Sequence, residues 1–112
     1  MKRVDAIVKP FRFEAIVNRL RLIGVTGMTV SEVHGMSRST SMDGVFHGHR
    51  YQTPSAPRYQ LTIVVRDDAV APVVNAIVQA GRTEEAGDGI VTVGNVADAV
   101  RIRTGESGPD AL

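Results

Sequence analysis

The apolar residues of this chain follow a strand, helix, strand pattern that occurs twice, and this repeated unit restricts the folds open to it. In each unit a run with period two is followed by a run with apolar residues at every third or fourth position, then by another run with period two. These periods place apolar side chains on one face of a strand or of a helix. The predicted strands are 4–8, 28–34, 59–65 and 90–93, and the predicted helices run from Phe13 to near Gly24 and from about Val70 to Gly81.

Two such units in a short chain predict an α+β fold of the ferredoxin-like type. In that fold an antiparallel βαββαβ sheet has both helices on one face. The chain has 112 residues, enough for one core, so residues 1–112 are predicted to form a single domain. Because two helices cover only one face of the sheet, apolar residues on the other face favour a homo-oligomer.

Two segments lie outside the repeated pattern. Residues of about 36–57 are rich in Ser, Thr, Gly, His and Pro, which predicts a long loop between the second and third strands. A loop of this length within a compact domain is usually functional or disordered. Beyond the last repeat, Val100 to Arg103 predicts a short C-terminal strand, and about 106–112, with its Gly108-Pro109 pair, predicts a mobile tail.

Composition excludes several classes of function. The formal net charge is +1 and aromatic residues make up 4%, which disfavours a nucleic-acid-binding surface. The absence of cysteine excludes disulfides, thiolate metal sites and cysteine nucleophiles. No apolar run is long enough to cross a bilayer, and residues 1–5 lack the apolar segment of a secretion signal. A cytoplasmic location without membrane insertion is therefore expected.

Two elements in the last third of the chain suit the binding of phosphate. Glycines in the Gly87-Asp88-Gly89 turn let backbone N–H groups approach an oxyanion closely. In the predicted last strand, Arg101 and Arg103 are two residues apart and would present two guanidinium groups on one face. Glycine turns are common and paired arginines often flank a sheet edge, so a purely structural role stays open for both.

These elements, together with segments near the N-terminus, resemble the PII signal-transduction proteins over essentially the whole chain. The resemblance implies a homotrimer of ferredoxin-like subunits that binds adenine nucleotides in clefts between subunits. It also implies a long protruding loop that contacts partner enzymes, transporters or regulators. The matching segments are Met1 to Phe11 (MKRVDAIVKPF), Gly27 to Val30 with Glu32 and Gly35, Gly87 to Gly89, and Arg101 to Glu106 (RIRTGE).

Carried over to this sequence, the resemblance implies a nucleotide site shared between two subunits. One subunit would hold the adenine and approach the ribose and phosphates, and its neighbour would grip the phosphates through backbone amides and guanidinium groups. The implied adenine residues are Gly27, Met28, Thr29 and Val64; those approaching ribose and phosphate are Gly35, Ser37 and Arg38; those from the neighbour are Gly87, Asp88, Gly89, Arg101 and Arg103.

The chain departs from the PII pattern at the positions that handle ligand charge. Ser39 stands where the family has a glutamine that helps bind magnesium and 2-oxoglutarate, so the response to 2-oxoglutarate and the need for magnesium are left open. Glu85 and Ile90 flank the glycine turn where the family has lysines, which weakens attraction to the β and γ phosphates. We therefore expect ADP or AMP to be favoured over ATP. Arg58 replaces a lysine and keeps a cation for a carboxylate or a smaller anion such as bicarbonate.

The loop contributes two further candidates. Tyr51 occupies the place of the tyrosine that many PII proteins have uridylylated, although the surrounding sequence differs, so it is a candidate modification site. His47 and His49, with Asp43 or His34, have a spacing that a metal can use, but no third ligand is fixed by the spacing. We therefore predict no metal site.

The main hypothesis is a non-catalytic regulator that binds an adenine nucleotide and controls an unidentified partner protein through the 36–57 loop. The departures favour a PII-like variant associated with inorganic-carbon uptake or carboxysomes. The alternatives are a conventional nitrogen-regulatory PII protein that responds to ATP and 2-oxoglutarate, a metal-responsive PII-like regulator, and a nucleotide hydrolase. The hydrolase lacks an evident general base, because Asp88 lies in a glycine turn and Glu84 and Glu85 are flexible and have no identifiable partner.

Overall fold

The two strand–helix–strand units join in one antiparallel sheet. The computed structural model describes residues 1–36, 44–46, 49–51 and 55–112, with the backbone alone for 44–46 and 49–51. The elements are β1 (Lys2–Val8), α1 (Phe13–Leu22), β2 (Thr29–Gly35), β3 (Gly44–Phe46), β4 (His49–Tyr51), β5 (Ala56–Val65), α2 (Val70–Gly81) and β6 (Gly89–Asn95), with short 3-10 helices at Pro10–Arg12, Asp67–Ala69 and Gly108–Ala111.

The four long strands have the order β2-β5-β1-β6, and each neighbouring pair is antiparallel. The register places Val8 opposite Tyr59 on one side and opposite Gly89 on the other, while Tyr59 also faces Glu32. This topology confirms the predicted ferredoxin-like α+β fold. It also makes β2 and β6 the two edge strands of the sheet. Residues on these two strands are therefore separated by β5 and β1.

The core lies between the sheet and the two helices. Alternate residues of β1 and β5 are buried, and the facing residues of α1 and α2 repeat at helical spacing, as the sequence pattern predicts. On the opposite face of the sheet Asp5, Ile7 and Thr62 are only half-buried. An oligomer that covers this second face stays a prediction. The core consists of Val4, Ala6, Val8, Ile16, Leu20, Leu61, Ile63, Val65, Val73, Ala76, Ile77 and Ala80.

The predicted C-terminal strand at Val100 to Arg103 is wrong. The chain reverses here, because the Gly105 N–H donates to the Arg101 carbonyl over 2.8 Å and the Arg101 N–H donates to the Glu106 carbonyl over 2.8 Å. Gly105 has a φ of +74°, a conformation that glycine adopts without steric cost. Only an isolated bridge between Val100 and Ser107 has strand geometry. Arg101 and Arg103 therefore do not share the face of a strand.

The segment after this turn has a defined conformation, where the sequence analysis expects a mobile tail. Gly108–Ala111 forms a 3-10 helix. Its first N–H, on Gly108, donates to the Ala99 carbonyl over 2.9 Å, and the Leu112 N–H donates to the Pro109 carbonyl over 3.2 Å. These bonds hold both ends of the segment.

The predicted long loop is shorter than expected and includes strand pairing. β5 begins at Ala56, and its register with β2 continues to the pair Gly35 and Ala56, so the loop spans 36–55. Within it, β3 and β4 pair as a two-stranded antiparallel sheet. Both ends of the loop thus leave from one rung of the main sheet. None of the helices in the described part of the chain is long and apolar enough to cross a membrane.

Candidate functional site

A cavity of about 590 Å³ lies beside the edge strand β2. Its wall brings together all four residues implied for adenine, because the loop after α1 passes next to the end of β5 and the start of α2. Gly27 contributes open space, since a Cβ built there would meet no atom within 4 Å. The lining residues are Ile23 to Thr29, Thr62 to Arg66, Ala69, Pro72, Val73 and Leu112.

Two arginines lie at this cavity, and both contact the C-terminal segment. Arg66 lines the cavity and donates from Nη2 to the Pro109 carbonyl over 3.3 Å, with Asp110 at 3.7 Å. Arg101 donates from Nε to the Ala111 carbonyl over 3.4 Å and from Nη2 to the backbone oxygen of Leu112 over 3.0 Å. Leu112 is itself part of the cavity wall. Arg101 therefore lies within hydrogen-bond distance of a cavity residue, whereas Arg103 is exposed in the turn.

The Gly87-Asp88-Gly89 turn is organised by the carboxylate of Asp88. One Asp88 oxygen accepts the N–H groups of Thr83 over 2.8 Å and Glu84 over 3.1 Å, and the other accepts the Thr83 hydroxyl. Lys9, whose side chain is 11% exposed, places its ammonium 3.1 Å from Asp88. The hydrogen bonds from Thr83 are the main cause that lowers the pKa of Asp88, and Lys9 adds to them. Asp88 thus fixes the shape of the turn through groups of its own chain.

Gly89 ends the turn where the backbone of β6 joins β1. Its φ is +115°, which side-chain-bearing residues rarely adopt, and a Cβ there would overlap the carbonyl oxygen of Ile7. Glu85, beside the turn, is 81% exposed at its side chain and lies 3.9 Å from the Lys9 ammonium. The glycine at this position is therefore required by the close approach of two strands.

Arg58 connects the base of the loop to this turn. Its Nη1 donates to the Pro57 carbonyl over 2.8 Å and its Nη2 donates to the Gly87 carbonyl over 3.2 Å. A Cβ at Gly35 would lie 3.4 Å from the Arg58 side chain, so Gly35 belongs to the same region. We call Gly35, Arg58 and the 87–89 turn the loop-base group, and we call Gly27 to Thr29, Val64 and Arg101 the cavity group.

The structure regroups the predicted halves of the site. The strand β2 runs from Thr29 to Gly35, and six residue steps of an extended chain separate these two by about 20 Å. Gly35 therefore does not join Thr29 in one half, as the sequence analysis expects, but lies with the 87–89 turn. Arg101 likewise lies with the cavity and not with the turn. The two groups therefore lie toward opposite ends of β2.

Several predicted residues lie outside the described residues. These are Ser37, Arg38, Ser39, Asp43 and His47, and for Tyr51 and His49 only the backbone is described. In the described part of the chain no three His, Cys, Asp or Glu residues are arranged to hold a metal.

Sequence reasoning missed Lys9, Thr83 and Arg66. Lys9 and Thr83 are 74 positions apart and meet over 3.3 Å only because β1 and α2 pack side by side. No local motif marks such a pair. Arg66 directly follows the last residue of β5, so it belongs to no periodic pattern that would mark it as a site residue.

Comparison with known proteins finds similarity along the whole chain. A family model described as nitrogen regulatory protein P-II matches residues 1–106. The nitrogen regulatory protein P-II of Cereibacter sphaeroides is 39% identical over 112 residues, covering 100% of both chains. The protein of the same name from Bradyrhizobium diazoefficiens is 38% identical, and nitrogen regulatory protein P-II 1 of Escherichia coli strain K12 is 39% identical, each over 100% of both chains.

Proposed function

The chain belongs to the nitrogen regulatory protein P-II family, and on that premise we propose that it is a non-catalytic nitrogen regulator that binds an adenine nucleotide. We place the base in the cavity beside β2, with a second subunit of a homotrimer completing the site. The observation that carries the proposal is the 590 Å³ cavity that gathers Gly27, Met28, Thr29 and Val64. Because its relatives are named for nitrogen regulation, this role is better supported than one in inorganic-carbon uptake.

The regrouped halves support a site shared between subunits. The cavity group offers apolar walls for a base and the Arg101 guanidinium, which lies next to the wall at Leu112. The loop-base group offers the glycine turn and the Arg58 guanidinium. Phosphate binds well to both backbone amides and guanidinium groups. A nucleotide with its base in one chain's cavity would then extend its phosphates toward the other chain's loop base.

We further propose that ADP or AMP is preferred over ATP, with the need for magnesium open. The two positions that flank the turn carry Glu85, a carboxylate exposed to solvent, and Ile90, an apolar side chain that is 62% exposed. Neither attracts a γ-phosphate, and a carboxylate repels it. The Arg58 side chain, which bridges Pro57 and Gly87, is the candidate group for a carboxylate effector such as 2-oxoglutarate, or for bicarbonate.

The same arrangement gives a proposed route to a partner protein. Because the loop-base group holds both the start of the loop at Gly35 and the 87–89 turn, a ligand at the turn would favour one arrangement of the loop over others. The partner that contacts the loop would then respond to the nucleotide. Such coupling needs no catalysis by this chain.

Isothermal calorimetry with two matched glycine variants tests nucleotide binding. Gly27→Ala places a methyl group in the cavity, and Gly94→Ala places one on β6, where a Cβ also meets no atom within 4 Å. We expect Gly27→Ala to weaken ADP binding about tenfold or more, as overpacking of a filled site does, and Gly94→Ala to leave it unchanged. Equal affinities in the two variants would place the base elsewhere.

The same calorimetry, run with AMP, ADP and magnesium-ATP with and without 2-oxoglutarate, separates the proposed preferences. Tighter binding of ADP or AMP than of ATP is expected. If magnesium-ATP and 2-oxoglutarate strengthen each other's binding, the shifted nucleotide preference is wrong and the nitrogen-regulatory role stands in its conventional form.

A further inference from the structure

We propose that the C-terminal segment Gly108 to Leu112, here called the tail, is an internal competitor for the anion that Arg101 binds. The proposal rests on the proposed nucleotide site and concerns its regulation. The tail occupies the guanidinium group that the cavity would offer to a phosphate, so the nucleotide and the bound tail exclude each other.

The tail binds one edge of the Arg101 guanidinium group. Nε donates to the Ala111 carbonyl over 3.4 Å, and Nη2 donates to the backbone oxygen of Leu112 over 3.0 Å. These two nitrogens form one of the parallel donor pairs with which arginine binds an oxyanion in two places at once. While the tail holds both, a phosphate cannot bind on that edge.

The tail also lies at the edge of the cavity. Leu112 forms part of the cavity wall, and the tail also contacts Arg66, which lines the same cavity. A ligand that enters the cavity therefore meets Arg66 and the tail residue Leu112, whose backbone oxygen Arg101 holds. Arg66 contacts the Pro109 carbonyl and the Asp110 carboxylate, and Arg101 contacts the Ala111 carbonyl and the backbone oxygen of Leu112, so the tail already occupies part of each guanidinium group.

The tail has a firm root and a weak end. Gly108 is held by two acceptors, the Ala99 carbonyl at 2.9 Å and the Asp98 carboxylate at 3.1 Å. The far end is held by the Arg101 bonds to Ala111 and Leu112 and by the contact between Arg66 and Asp110, 3.7 Å apart with side chains 56% and 86% exposed. The exposed ion pair contributes little, and a phosphate would replace the tail on the Arg101 edge, so the end can detach while the root stays.

Competition of this kind lowers apparent affinity by the fraction of molecules in which the tail is detached. Anything that loosens the tail should therefore tighten nucleotide binding. This gain in affinity should grow with the negative charge that the ligand brings to Arg101. It should therefore be larger for ADP than for adenosine, which lacks phosphate.

The first test compares two full-length variants that each remove one negative charge. Asp110→Asn removes the partner of Arg66, whereas Glu106→Gln changes a nearby exposed side chain for which the described residues show no contact. We expect Asp110→Asn to bind ADP about twofold to fivefold more tightly than wild type and Glu106→Gln to match wild type, as an exposed pair predicts. Equal affinities in the two variants, or weaker binding by Asp110→Asn, would overturn the proposal.

The second test follows the tail directly by NMR amide exchange in the wild-type protein. The Leu112 N–H reports on the end of the tail and the Gly108 N–H reports on its root. Saturating ADP should accelerate exchange at Leu112 and leave Gly108 unchanged, while adenosine should alter Leu112 less. Slower or unchanged exchange at Leu112 with ADP bound would contradict the competition.

A wrong nucleotide site would be distinguished from a wrong tail proposal by the binding of wild type. If wild type binds no adenine nucleotide, the nucleotide site is wrong, and inorganic pyrophosphate then serves as the probe in both tests. Pyrophosphate that binds without accelerating exchange at Leu112, or that does not bind Asp110→Asn more tightly than Glu106→Gln, would overturn the tail proposal on its own.

Discussion

Replacement of Gly89 by alanine tests the idea that the glycine turn is shaped by the packing of β6 against β1. The substitution adds a single methyl group at a residue whose φ is +115° and whose Cβ would overlap the Ile7 carbonyl oxygen. The backbone must leave this conformation or push β6 away from β1. The register pair of Val8 and Gly89 is the rung that would be disturbed.

The expected magnitude follows from these two costs. A side chain in a conformation reserved for glycine costs about 1–3 kcal/mol, and forcing a methyl group into an occupied space costs about 1–3 kcal/mol. We expect Gly89→Ala to lower the free energy of unfolding by about 2–6 kcal/mol, a large part of the 5–15 kcal/mol typical of domains. Gly94→Ala, on the same strand with open space around it, should change it by less than about 0.5 kcal/mol.

Urea denaturation at one fixed protein concentration measures both variants, because association would make the midpoint depend on concentration. A local readout is the Thr83 N–H, which donates to Asp88 over 2.8 Å beside Gly89. Its amide exchange should accelerate in Gly89→Ala and not in Gly94→Ala. If the two variants unfold at the same urea concentration, the steric reasoning about Gly89 is wrong.

Three further results are expected. Leu61→Ala, at a fully buried position of the core, should cost about 2–5 kcal/mol in urea denaturation, and a loss below 1 kcal/mol would contradict its burial. The pKa of Asp88 is lowered from 3.8, so the stabilisation by its carboxylate is fully present above about pH 5 and is lost as the pH falls below 3.8 toward the lowered pKa. The NMR chemical shift of the Thr83 amide should follow this titration with a midpoint below pH 3.8, and the pH dependence should disappear in Asp88→Asn. A midpoint above pH 4 would refute the lowered pKa. Arg58→Lys should accelerate amide exchange within the turn at Asp88 without unfolding the chain, since one ammonium group cannot span both carbonyls that Arg58 contacts, and unchanged exchange would argue against the bridge.

The sequence predicts the sheet and helices well, because burial of one face of a strand or helix requires apolar residues at a regular spacing along the sequence. Within the predicted 59–65 strand, the alternation at 61–65 matches buried and half-buried residues of β5 in turn, while Tyr59 and Gln60 are both half-buried. The same criterion fails at Val100 to Arg103, because four residues are too few to distinguish a strand from the arm of a turn, and Gly105 reverses the chain directly after them.

The sequence indicates candidate site residues but not their arrangement. Resemblance to a family indicated Thr29, Gly35 and Arg101, but their grouping depends on the length of β2 and on the position of the C-terminal tail. Contacts such as that of Lys9 with Asp88 join residues far apart in the chain, so no local pattern indicates them. Strand order supplies this information, because it decides which ends of which strands become neighbours.

The rung that joins Gly35 to Ala56 has a consequence for how this chain can change its loop. The sheet already holds the two ends of the 36–55 segment together. The entropic cost of closing this segment therefore depends on its length and little on which residues it contains. That entropy grows only slowly, by about 0.6 kcal/mol for each doubling of length. Insertions, deletions and whole replacements between these two residues should therefore be nearly neutral for folding. A lineage can exchange the segment for another while the sheet beneath keeps its stability.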